Sequence, residues 1–496
     1  MTGLPANLPP AAEAYLSAFP RGEVVAFPLT PLDTIGIPVW IVALFPDDPR
    51  LAGIMPYGVG YGETEGQAIL GALGEIAEMV FPTLSLSDRT KTRGSYTELI
   101  RVLGENTVAD PLTLCLPAGS PVNRDTILEW VEAKRWVDGA TVLVPVDLAA
   151  YSAKELSPGY RPFTTIISNG MGAGPDLDWA VGHGLLELLQ RDGNGLLFRA
   201  LDQGVLLDLP DQLPASTAAI LARFAAAGIE VMPKFATDEF GIVNLYCVGR
   251  EQNGREPRVP IMLTGCGEAA HPDRTQALNK ALCEFAASRV RKSFAHGPAH
   301  LAAQVAPTGY ADRFMAQAGD AAKSSDPRAF QAMREWTRAS AADLRLWLAG
   351  SVHAVKANKP FDSLPQAEVP NGHARSALVL NAVLKQGFDP LYVDMSPPGA
   401  LLATVKVIVP GLEVETMSYA RIGERNVRKL MDGDTGLVGL GEPAGDRLPV
   451  RLTPQAIDRL GGVPWFDVGR AAQIVGPLYP LYREPEAHHV AIGKRS

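Results

Sequence analysis

Two hydrophobic rhythms alternate along this chain. Residues 22 to 46 carry β-branched apolar runs and include LDTIGIPVWIVAL, which predicts a pair of strands broken by a turn. The glycine turn YGVGYGET follows. It leads into apolar residues at helical spacing, predicting a helix from about Glu65 to Val80. DTILEWVEAKRW reads as a helix and ATVLVPVDLAAY as a strand, and SNGMGAGPDLDWAVGHGLLELLQRDG is a second glycine turn running into a helix. The order then recurs: PASTAAILARFAAAG reads as a helix, IEVMPKF and GIVNLYCVG as strands, and GCGEAAHPDRTQALNKALCEFAASRVRKSF as a third glycine turn with its helix. Interleaved strands and helices predict a mixed α/β architecture rather than a bundle or a sandwich.

The rhythm weakens from 310 to 374, where the chain is polar and helical and then loop-like around KPFDSLPQAEVPNG. Strand character resumes at DPLYVDMS and LLATVKVIVPGLEVETMS, and the end of the chain is rich in Gly and Pro. These changes divide the chain into an N-terminal extension (1–21), a core (22–309), a helical insertion or partner surface (310–374), a return to the core (375–430) and a tail expected to wrap or trail (431–496). With 496 residues, 47% of them apolar, the chain can bury a large core in one composite domain or two to three packed ones. A net charge of -9 argues against sequence-independent binding to nucleic acid or anionic lipid. The four cysteines form no CxxC pair and read as buried thiols. The amino terminus lacks a basic start and an uninterrupted apolar run, and no apolar segment is expected to reach the ~18 residues that span a bilayer, so the expected location is cytoplasmic.

Three helices share one side-chain spacing: Ala68, Ala72, Glu75, Glu78; Ala180, Gly184, Glu187, Gln190; and Ala277, Ala281, Glu284, Ala287. At about 100° per residue these positions fall within an arc of ~120°, so small residues and carboxylates occupy one face. Small residues let a helix approach a neighbour closely, whereas a carboxylate on the same face is costly to bury alone. A single such face is ordinarily a Glu rimming a core. Three faces in one register favour a shared task, and if they converge, the remedy for the concentrated charge is a divalent cation with oxygen ligands, which suits magnesium and phosphate. The preceding glycines, Gly60 and Gly62, Gly170 to Gly174, and Gly265 with Gly267, are expected to offer backbone donors to the same phosphates. None matches the Walker or dinucleotide fingerprint. His183 and Cys283 read as packed residues, His488 and His489 as solvated, and Asp33 and Asp238, each in Asp-x-x-Gly-Ile, as turn formers of two duplicated halves.

In order and spacing, LDTIGIPVW, GYGETEGQAILGALGEIAEM, SNGMGAGPDLDWAVGHGLLELLQRD, ALNKALCEFAASR and VKVIVPGLE resemble the linked motifs of YcaO-domain proteins, ATP-dependent enzymes that activate peptide backbone amides. The resemblance covers about residues 22–300 and 375–425. It implies a YcaO-like mixed α/β fold with internally duplicated strand–helix units around a central nucleotide site. It also implies magnesium ligands at Glu75, Glu78, Glu187 and Glu284, a nucleotide contact at Asn169, basic positions facing phosphate at Arg191 and Lys280, and the basic end of the third motif at Arg289.

The chain departs from the pattern at Tyr61, where Gly-Lys-Gly becomes Gly60-Tyr61-Gly62; at Gln190, where Glu-x-x-Glu-Arg becomes Glu187, Gln190, Arg191; at Lys280, in place of arginine; and at Ala287, in place of glutamine. An amide oxygen at Gln190 can still coordinate or accept a hydrogen bond. The function implied is ATP- and Mg2+-dependent phosphorylation of a peptide backbone amide, giving an azoline or a thioamide. The alternative is a degenerate, non-catalytic scaffold that presents peptide to an active subunit. The tail lacks alternating prolines and no leader-binding domain precedes the core, so the expected partners are a precursor peptide and a separate leader-binding or sulfur-handling, TfuA-like protein. A homodimer is the expectation by base rate.

Overall fold

A computed structural model describes residues 2–197, 199–318, 326–488 and 490. The chain folds into two compact units, each assembled from separated segments: the first from Met1–Val80, Leu197–Glu368 and Pro477–Ser496, the second from Phe81–Leu196 and Val369–Gly476.

In the first unit the stretch at 22–46 forms antiparallel strands Gly22–Pro28 and Val39–Pro46, and Tyr57–Tyr61 pairs with the second of them. A five-stranded sheet runs in the order Gly267–His271, Val243–Glu251, Ile229–Thr237, Val205–Asp208, Ala357–Pro360, antiparallel except for its last pair. The helix Arg274–His296 packs on this sheet through Phe285, which stacks on Phe224 at 5.6 Å between ring centroids. The 310–349 stretch contributes Tyr310, Phe314, Met333, Trp336 and Leu344 to the same apolar core as Phe27 and Phe294. Its helices are therefore amphipathic elements whose apolar sides are spent inside this unit.

The second unit is built on a six-stranded sheet of Thr92–Ser95, Ile127–Arg135, Leu391–Asp394, Ala403–Ile408 and Met171–Gly174, with Thr141–Pro145 paired to Ile127–Arg135. The expected helix DTILEWVEAKRW is instead the strand Ile127–Arg135. Asp138-Gly139 reverses the chain: Gly139 sits at a φ of 70°, and the Ala140 N–H donates to Asp138 Oδ1 at 2.9 Å. A hairpin turn between two β-rich runs outweighs a helical spacing that a short apolar stretch satisfies by chance.

The Gly/Pro-rich end does not trail. Val438–Leu440, Pro464–Asp467 and Arg447–Pro449 form a small antiparallel sheet of the second unit. Residues 477–488 return to the first unit, where Glu484 pairs with Arg291 at 2.9 Å and His296 at 2.8 Å. His488, expected to be solvated, lies edge-on between Phe294 and Phe314, with centroids 4.8 and 5.1 Å away; His489 lies outside the described residues.

The first glutamate helix runs from Glu65 to Asp88, longer than expected, and passes through Pro82. Contrary to the sequence expectation, it is long and apolar enough to cross a bilayer, with a mean hydropathy of 1.4 over its most apolar window, of which 56% is buried in the protein. Burial of Ala68, Ala72, Leu73, Ile76 and Ala77 accounts for that composition as a core helix.

Candidate functional site

The three glycine stretches are largely strand, with Gly170 in a turn before the second at a φ of 88°. Tyr57–Tyr61, Met171–Gly174 and Gly267–His271 are strands, each followed by its glutamate helix, Glu65–Asp88, Leu177–Leu197 and Arg274–His296. Strand and helix meet backbone to backbone. A Cβ on Gly58 would lie 2.1 Å from the Ala72 carbonyl oxygen, one on Gly184 2.6 Å from that of Gly170, and one on Gly267 2.1 Å from that of Ala281. The separation in sequence is the same in all three pairs. A second contact repeats likewise: Cβ atoms on Gly60 and Gly172 would lie 1.8 and 2.2 Å from the Ala68 and Ala180 carbonyl oxygens. The small residues of the shared spacing are therefore the seats on which the strands rest, and at Gly58, Gly60, Gly172, Gly184 and Gly267 only glycine permits the approach.

That contact aims the carboxylates. One helical turn beyond the seat, Glu75 Oε2 accepts from the Val59 N–H at 2.7 Å and Glu187 Oε2 from the Gly170 N–H at 2.9 Å. Backbone donors expected to face phosphate thus hold the glutamates instead. In the third repeat Glu284 Oε2 accepts from the Tyr61 hydroxyl at 2.7 Å. Tyr61 therefore ties the first repeat to the third inside one unit. Burial, then Glu284, then Glu75 push its hydroxyl well above the usual phenol range, so it remains a donor. Glu78 lies on the same helix, where its charge adds to the burial that raises the hydroxyl of Tyr15. Glu75 and Glu284 thus set up a negative field around Tyr61 that an oxygen-coordinated cation would relieve, and an all-carboxylate set fits magnesium rather than zinc. Among the described residues no three acidic, His or Cys side chains stand close enough to hold a metal by themselves. Such a set suits an ion that keeps waters and takes further oxygens from phosphate.

In the second unit Glu187 lies in a charged network. Arg191 lies 3.8 Å from Glu187 and 3.9 Å from Glu415, while Asp192 receives Arg425 at 2.9 Å. Gln190 is buried beside them. Asn169 borders a small cavity of about 50 Å³ whose other polar lining groups are Asp147, Lys406 and Arg421. Lys406 Nζ donates to the Ile167 carbonyl at 2.7 Å, and Arg421 donates to the Cys115 and Leu114 carbonyls at 2.8 Å. Burial pushes Asp147 up from the usual carboxylate value. Burial, followed by the charge of Asp192, pushes Glu413 up to about 8.

Not every expected residue is open to a ligand. Arg289 is 1% exposed and is engaged by Asp33 at 2.7 Å and Glu251 at 2.8 Å, two carboxylates that balance its buried charge. Asp33 therefore holds an arginine as well as its turn. Lys280 and His183 are partly exposed on their helices. Cys283 is buried, and burial raises its thiol to about 12, which keeps it protonated and inert. Sequence reasoning missed Asp192, Glu413, Glu415 and Arg425. Acidic residues in GLEVETMS were the available signal, but nothing local says which cation they meet.

Comparison with known proteins shows the family and the fold. The model of a family described as YcaO cyclodehydratase, ATP- and Mg2+-binding, matches residues 59–413. The chain is 26% identical over 403 residues to an uncharacterised protein of Methanothermobacter thermautotrophicus, covering 80% of this chain and 91% of that one. It is 25% identical over 432 residues to an uncharacterised protein in the tfuA 3' region of Rhizobium leguminosarum bv. trifolii, covering 82% and 88%. Among solved structures, a heterocyclase in complex with substrate and cofactor superposes with a TM-score of 0.60 at 18% identity over 88% of this chain, which spans 56% of that heterocyclase. The structure of YcaO from Methanopyrus kandleri bound with AMPPCP and Mg2+ superposes with a TM-score of 0.53 at 17% identity, covering 83% of this chain and 91% of that one. These structures share the fold.

Proposed function

The chain belongs to the YcaO cyclodehydratase family, which is ATP- and Mg2+-binding, and on that premise we propose that it activates a backbone amide of a ribosomally made peptide for conversion to an azoline or a thioamide. The observation that carries this reading is the repeated strand–helix contact, which holds Glu75 and Glu187 by backbone N–H groups and Glu284 by Tyr61. Carboxylates fixed in one register on three helices have no packing task that alanine would not perform better.

Glu75, Glu78, Glu187 and Glu284 are the residues that would hold magnesium. When bound, ATP and magnesium supply a phosphoryl group that makes the amide oxygen a leaving group, together with cationic charge that stabilises it. The chain's own contribution is placement. Arg191 and Lys280 present cations to phosphate, Asn169 presents its amide beside the cavity of the second unit, and Tyr61 fixes Glu284 by donating to one of its oxygens. Arg289, held through Nε by Asp33 and through Nη2 by Glu251, supports the third helix instead.

The relative in the tfuA 3' region supports the thioamide branch, with a precursor peptide as substrate and a separate TfuA-like protein as sulfur-handling partner. Calorimetric titration with a non-hydrolysable ATP analogue, with and without Mg2+, tests the reading. Wild type binds in a magnesium-dependent manner, and Glu75→Gln and Glu187→Gln each weaken binding at least tenfold. Magnesium-dependent binding that is absent in wild type, or unchanged in both variants, removes the proposal.

A further inference from the structure

Within the second unit, a late segment holds the C-terminal half of the second glutamate helix. The Glu413 backbone N–H donates to Asp192 Oδ1 at 3.0 Å, and Arg425 Nη1 donates to both Asp192 oxygens at 2.9 Å. Glu413 Oε1 in turn accepts from the backbone N–H groups of Gly423 and Asn426, which begin the helix that carries Arg425. The frame thus closes on itself. A Cβ on Gly195 would lie 3.0 Å from the Val414 carbonyl oxygen, so this segment runs tightly along the helix. On that frame stands Glu415, 4% exposed, with Oε1 3.9 Å from Arg191 Nη1, while Glu187 Oε1 lies 3.8 Å from Arg191 Nε.

The internal repeat shows why a second carboxylate matters there. Three residues beyond Glu75 stands Glu78; three beyond Glu187 stands Gln190, which carries no charge. We propose that Glu415 supplies from the late segment the negative charge that Gln190 lacks, and that it is a positioning residue for Arg191. At 3.8 and 3.9 Å the two carboxylates act on different nitrogens of the guanidinium as nearby charges rather than as hydrogen-bond acceptors, and the second adds an attraction from a segment remote in sequence. The inference rests on the reading of Arg191 as a phosphate-facing cation.

The test is titration of the full chain with a non-hydrolysable ATP analogue and Mg2+, comparing wild type, Glu415→Gln, Glu415→Asp, the double variant Gln190→Glu with Glu415→Gln, and Glu75→Gln. Thermal midpoints are recorded alongside. Glu415→Gln is expected to weaken binding about tenfold, the loss of one buried negative charge 3.9 Å from Arg191. Glu415→Asp should fall between it and wild type, and the double variant should return to within about threefold of wild type, because Gln190→Glu restores the charge from the helix itself. A purely structural role would lower the midpoint of Glu415→Gln and of the double variant alike, with no recovery of affinity, and that outcome overturns the inference. Normal affinity in Glu415→Gln alongside weakened Glu75→Gln overturns it while leaving the magnesium–nucleotide reading intact. Absence of binding by wild type overturns both.

Discussion

Replacing Gly58 by alanine tests the contact on which the candidate site is built. The new Cβ would lie 2.1 Å from the Ala72 carbonyl oxygen and 2.9 Å from the Glu75 Cβ. A relaxed carbon–oxygen contact needs roughly 3.2 Å, so strand and helix must part by about 1 Å. Overpacking of that kind costs about 1–3 kcal/mol. The separation also stretches the hydrogen bond from Val59 to the Glu75 carboxylate, 2.7 Å in the native protein, and bonds to charged groups contribute about 1.5–3 kcal/mol. The expected loss is therefore about 3–5 kcal/mol. Gly74, on the same helix, is the control: nothing lies within 4 Å of its would-be Cβ. Gly74→Ala should stabilise by about 0.5–1 kcal/mol through helix propensity alone. Urea unfolding followed by circular dichroism measures both. A loss below about 1 kcal/mol in Gly58→Ala, or an equal loss in the two variants, would show that strand and helix are not in the backbone contact described.

Arg289→Met leaves Asp33 and Glu251 buried without their cation and should cost about 3–5 kcal/mol; a thermal midpoint equal to that of wild type would contradict the buried triad. Glu413 has an ordinary value of 4.5 and is raised to about 8. The folded protein therefore keeps a proton that the unfolded chain releases, and stability falls as pH rises from 4.5 to 8. Glu413→Gln, which preserves the uncharged form, should flatten that fall by up to roughly 4 kcal/mol. Urea unfolding at pH 5 and pH 8 decides the matter: an undiminished fall in the variant would assign the dependence to another group.

The comparison of sequence with structure divides along physical lines. The shared spacing of alanines and glutamates was legible because the helical angle per residue is a local property. The glycines before them were misread as turns only in part: Gly170 does occupy one, but Gly58, Gly60, Gly172 and Gly267 stand in strands, where no Cβ fits against the Ala72, Ala68, Ala180 and Ala281 carbonyls. Ile127–Arg135 was misread because its apolar spacing suits two periods; Asp138-Gly139, the signal that decides between them, lies just outside the run. The C-terminal stretch hid its role for another reason: a pairing such as Glu484 with Arg291 joins residues 193 positions apart.

Residue order alone established that carboxylates and small residues share one face of three helices, and the family that this register resembles, because both depend on spacing along the backbone. Which donor or cation each charge meets was decided by tertiary structure. Arg289 shows the difference most clearly: the resemblance made it the basic end of the third motif, yet Asp33, from a turn, and Glu251, from the end of a strand, reach it from distant parts of the chain. Arg191 shows the converse, meeting Glu415 as well as its own helix. Charges seek partners through space, and only the packing of remote segments brings those partners within reach.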